Sequence, residues 1–128
     1  MTRLQTLLLA AVVILVGAGP LFAHHAWPVE RSKEVTVSGT VTSYDWANPH
    51  VMIGLEVRSP NGTVQKWHVG GPSTSRMAAN GWDRATLKPG DQITAIGFQF
   101  ADGQPILRLE KIMMAGGKEM LLYGGGRR

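Results

Sequence analysis

The chain has 128 residues, 44% of them hydrophobic and 17% charged, and it contains no cysteine. That is the composition of one folded domain, and it excludes disulfides, thiolate metal sites, iron–sulfur clusters and a cysteine nucleophile. The formal net charge of +4 is spread along the chain, unlike the concentrated basic patch of a nucleic-acid binder, so no nucleic-acid partner is expected.

Residues 1–23 read MTRLQTLLLAAVVILVGAGPLFA. Arg3 gives a short positive start, Leu7 to Val16 is an unbroken apolar run, and Gly17, Gly19 and Pro20 break it before the small residue Ala23. This is the order of a secretory signal peptide. The run is shorter than the roughly 20 residues a spanning helix needs, which favours cleavage over a retained membrane anchor. Cleavage after Ala23 makes His24 the first residue of a periplasmic or secreted product, with no membrane contact once the signal is gone.

Residues 24–34, HHAWPVERSKE, are polar around Pro28 and read as an extended N-terminal arm. A β-barrel domain is expected over 35–123. VTVSGTVTSYDW, 35–46, alternates with period two, placing Val35, Val37 and Val41 on one face, and Gly39 within it marks a bulge or bend. ANPH, 47–50, is a turn, followed by a second alternating strand over 51–57. SPNG and TVQKWHV supply a hairpin loop and its return strand over 63–69.

The register of that hairpin follows from parity. Trp67 and Val69 share a face with Ile53 and Leu55 only if paired residue numbers sum to an even value. A three-residue loop, Pro60-Asn61-Gly62 with Gly62 in the left-handed conformation, sets Leu55 opposite Trp67 and Ile53 opposite Val69. Glu56 then meets Lys66, an opposite-charge pair.

Ser73 or Thr74 can cap a short helix over 75–80 that Gly81 ends, and LKPGD, 87–91, is a turn. QITAIGFQF, 92–100, and PILRLEKIMMA, 105–115, are strands joined by the turn ADGQ. A short final hairpin arm leads into a flexible Gly/Arg tail over 124–128. The fold class is therefore all-β with one short helix. The order, with the helix between strands three and four, is that of a five- to six-stranded OB-like barrel; a small open sandwich is the alternative.

AHHAW, GTVTSYDWANPHVMIGLEV, GGPS, LKPGDQITAIGF and DGQPILR together resemble an uncharacterised family of small secreted bacterial proteins, known only as a domain of unknown function. The resemblance covers nearly the whole chain after residue 23. It implies a periplasmic β-barrel and no established activity.

The chemistry must therefore come from the residues. A chain beginning at His24 offers an α-amine and an imidazole in one residue, and His25 and His50 can add further ring nitrogens. Such a set suits copper first, with zinc or nickel behind it. The arrangement resembles the histidine brace of secreted copper proteins in its ligands, not in its fold. His68 is a poorer partner: the register sets it opposite Gly54, about 13 Å from His50 at ~3.3 Å per residue. Met52, Met113, Met114 and Met120 could supply thioethers, although strand methionines more often fill cores. The plainer alternative leaves His24 and His25 on a solvated arm and His50 capping its turn. No pair of carboxylates, nucleophile elbow or phosphate loop is present, so an enzyme is not expected. The competing class is a binding module that docks a protein or glycan on the barrel face.

Overall fold

The computed structural model describes residues 27–123. His24 and His25, the segment over 1–23 expected to be a signal peptide and the Gly/Arg tail lie outside the described residues. Six strands follow one another as β1 (Val29–Asp45), β2 (Met52–Arg58), β3 (Val64–Gly70), β4 (Gln92–Phe100), β5 (Ile106–Met114) and β6 (Glu119–Leu121), with one helix, α1 (Thr74–Ala78), between β3 and β4. The sheet runs β3-β2-β1-β4-β5-β6, and a parallel pairing of β3 with β5 closes five strands into a barrel. β6 is an extra strand on the far half of β5. The architecture is the expected OB-like one, and the closed ring removes the sandwich alternative.

β1 is the strand that both halves share. Its residues Glu34 to Thr40 pair with β4, and Thr40 to Asp45 pair with β2. The handover needs two local devices. At Gly39 a Cβ would run into the carbonyl of Glu56, so only glycine allows the crossing strand this close. The bulge itself falls three residues later: Val41 pairs with Leu55 but Ser43 with Gly54, leaving Thr42 as the extra residue. β1 also starts at Val29, earlier than the alternating pattern indicates, because Val29 and Glu34 are held by backbone pairing to Phe100 and Phe98. Most side chains between them stay exposed, so no hydrophobic period marks this stretch.

The β2–β3 register is the one that parity demands, with Ile53 opposite Val69, Leu55 opposite Trp67 and Glu56 opposite Lys66. Ser59 N–H donates to the Thr63 carbonyl, closing the loop around Gly62 at φ 84°. The core is Val41, Ile53, Leu55 and Val69 from one half and Ile93, Ala95, Leu107, Leu109 and Ile112 from the other. None of the buried described residues is polar or charged.

α1 closes one end of the barrel. Ser73 is its N-cap and accepts from Arg76 N–H, while Asn48 Oδ1 accepts from the N–H and the hydroxyl of Thr74. Met77 is the buried face of this short helix. Trp82, 1% exposed, follows it and donates its indole N–H to the Leu121 carbonyl at 2.9 Å. That bond ties the helix region to β6.

Candidate functional site

Of the three histidines predicted to bind metal, the described residues include His50. It precedes β2, and backbone bonds extend the β2–β3 pairing to Val51, the residue after it. Gly71 N–H donates to Val51 O at 2.8 Å and Val51 N–H to Pro72 O at 3.0 Å. This extension sets His50 against Gly71, and its Nδ1 lies 3.2 Å from the Gly71 carbonyl. A carbonyl oxygen only accepts, so Nδ1 is the donor in this bond and Nε2 is the ring nitrogen left without it.

Trp27 packs on the same ring. Its centroid is 5.2 Å from that of His50, edge-on at 79°, and 5.7 Å from that of Phe100, at 81°. Backbone bonds hold it there: Val29 N–H donates to Trp27 O and Ala101 N–H to Pro28 O. The approach requires glycine at position 70, because a Cβ there would overlap the Trp27 ring. The parallel β3–β5 pairing then brings Arg108 opposite Gly70.

These residues line a cavity of about 240 Å³, bounded by Trp27, His50, Gly70 to Pro72 and Tyr123, with Arg31, Arg76 and Arg108 around it. Arg108 lies over the Phe98 ring, 5.9 Å from its centroid, and its Nη2 donates to Glu110 Oε1 at 2.6 Å. Its Nε is buried without a hydrogen-bond partner among the described residues.

The other candidates are dispersed. His68 is exposed and opposite Gly54, as the register requires. Met113 and Met114 line a different, open groove of about 480 Å³ along Ser38–Thr40, Glu56, Arg58 and Gln92–Thr94, and Met120 is buried. Among the described residues no three His, Asp or Glu side chains form a metal-ligating group. Sequence reasoning did not find the arginines, which come from β1, α1 and β5 with no common spacing. The available signal was the Gly70-Gly71 pair ending a strand, which marks a close approach.

Two ionisable groups elsewhere are strongly placed. Burial pushes the Tyr44 hydroxyl up to about 12, and that hydroxyl donates to the Asp83 carbonyl at 2.7 Å. Hydrogen bonds from the side chain and backbone N–H of Lys88 hold the Asp91 carboxyl below the usual carboxylate range.

No curated protein matches the chain. Among solved structures it is similar to Rim1, the mitochondrial single-stranded DNA-binding protein from S. cerevisiae. The two share 7% identity at a TM-score of 0.50, over 64% of this chain and 92% of that one. It is also similar to the ZRD-deleted mutant of TiaS in complex with agmatine, at 18% identity and a TM-score of 0.48, over 77% of this chain and 24% of that one. The likeness to Rim1 is one of fold alone. The family model that matches, over residues 11–106, is the family of unknown function DUF6152, and the chain belongs to that family.

Proposed function

We propose that the chain is an exported metal-binding protein of the periplasm, taking copper through the α-amine and ring of His24, the ring of His25 and Nε2 of His50. The observation that carries this reading is the Trp27–His50 contact. Trp27 stands three residues after His24, a span of at most ~11 Å of extended chain. An arm pinned by Trp27 beside His50 keeps His24 and His25 within reach of that ring. The bond from His50 Nδ1 to the Gly71 carbonyl adds to it, since it fixes the tautomer and orientation as outer partners of metal-bound histidines do. Zinc and nickel suit the same nitrogens less well than copper.

The test is the intact mass of the protein purified from the periplasm, sprayed under non-denaturing conditions with one equivalent of Cu(II). A chain starting at His24 and holding one copper is the expected result, with binding lost in His24→Ala and His50→Ala. A different start, or equal affinity in all three proteins, overturns it. Binding should fall steeply below about pH 6, as the imidazoles protonate.

The open groove on the other side favours a second reading, a module that docks a glycan. Its lining offers the Ser38, Thr40 and Thr94 hydroxyls, the Gln92 amide and the Glu56–Arg58 pair. An N-acetylhexosamine oligosaccharide should then shift the amide resonances of Thr40 and Gln92; unmoved resonances at millimolar sugar sink it.

A further inference from the structure

We infer that the cavity beside Trp27 binds a small, multiply charged oxyanion, a polycarboxylate or a phosphate monoester. The inference stands apart from the copper reading and uses neither His24 nor His25. Three arginines from three separate elements line it: Arg31 from β1, Arg76 from α1 and Arg108 from β5. No carboxylate is among the lining residues.

Of the three, only Arg108 is paired with a carboxylate side chain. All nine acidic side chains lie within the described residues. The ion pairs are Arg58–Glu56, Lys88–Asp91, Arg108–Glu110 and Lys111–Glu119, so Arg31 and Arg76 have no carboxylate side-chain partner. Arg108 uses Nη2 on Glu110 and leaves Nε unpaired in a buried position. Isolated exposed arginines are ordinary, and water satisfies them. Three around one concavity repel one another unless an anion sits between them.

The chemistry of the wall selects the class of ligand. A guanidinium fork matches the paired oxygens of carboxylate and phosphate, which a point charge such as chloride does not. The Tyr123 hydroxyl adds a neutral donor, and the Trp27 ring gives one apolar side. About 240 Å³ is below the usual volume of a drug-sized site and suits a molecule of a dozen or so heavy atoms.

The experiment is a calorimetric titration of the mature protein, passed over chelating resin, with citrate and separately with inorganic phosphate. Binding of at least one is expected, weakening by about tenfold in Arg31→Ala and in Arg76→Ala and weakening with added salt. Arg31 and Arg76 are exposed, so unchanged thermal melting of both variants is the control for folding. Arg58→Ala, in the other groove, should bind like the parent. Tighter citrate assigns the carboxylate class and tighter phosphate the phosphoryl class. Binding of neither, or binding indifferent to Arg31 and Arg76, overturns the inference. A His24→Ala protein that loses copper and keeps the oxyanion would separate this site from the metal.

Discussion

Two tryptophans anchor this barrel, and they do opposite jobs. Trp82 is 1% exposed, and its indole N–H is bonded to a backbone carbonyl. Trp27 is half-buried, leans edge-on against a histidine, and borders a cavity ringed by arginines. Trp82 belongs to the buried core together with Met77, Leu87 and Leu122. Around Trp27 are glycines, which leave room, and three arginines, of which only Arg108 has a carboxylate partner. A side chain that seals and a side chain that props open are thus told apart by their surroundings, not by residue type.

Substitutions can break that contrast. The largest effect is expected from Trp82→Ala, which should cost about 3–5 kcal/mol in a urea titration. Trp27→Ala should cost clearly less stability and yet abolish the copper binding proposed above. If it unfolds the protein as Trp82→Ala does, Trp27 is merely more core. Next comes Gly70→Ala, whose Cβ must displace the Trp27 ring. It should cost about 1–3 kcal/mol and red-shift tryptophan emission as the indole meets water. An unshifted spectrum would mean that the ring has room to spare.

The smaller effects are pH-dependent. Tyr44 has a folded pKa raised to about 12 from an ordinary value of 10.0. Its contribution is complete below pH 10 and lost as pH rises toward 12, because the unfolded chain releases the proton first. Tyr44→Phe should flatten the stability curve over that interval. Asp91 has the opposite sign: its carboxyl is lowered, so its contribution is present above the ordinary carboxylate pKa and lost as pH falls below it. Asp91→Asn should therefore matter slightly at neutral pH and not at all in strong acid, read from thermal melts. This exposed pair is the smallest effect of the set.

The hairpin was legible because several local rules agree there: parity of the apolar positions, a left-handed Gly62 and the Glu56–Lys66 pair all give one register. The helix start was legible from Ser73, but its end was not: it spans Thr74–Ala78 with Ala79 as C-cap, two residues before Gly81. β1 was legible only where one face is buried; Val29 and Glu34 pair with β4 through the backbone, and the exposed residues between them carry no side-chain signature. Gly39 announced the bend, but the bulge at Thr42 did not show, since Thr suits either a strand or a bulge. The arginine-ringed cavity was least visible. Arg31, Arg76 and Arg108 meet only because β1 is long, α1 sits at the barrel end and β5 closes in parallel on β3. None of those facts is a spacing in the chain.

The shared strand β1 also has a kinetic consequence. The β2–β3 hairpin joins residues close in sequence and can form on the order of microseconds. β1 cannot complete its ladder until β4 arrives, and Ser38 meets Thr94 across 56 positions of chain. The parallel seam between His68 and Ile106 is long-range as well. Closure of the ring must wait for these distant partners, which places folding in the slow range of β-barrels, milliseconds to seconds. Until then the hairpin's apolar face stays uncovered, and a newly made chain spends that interval most exposed to aggregation.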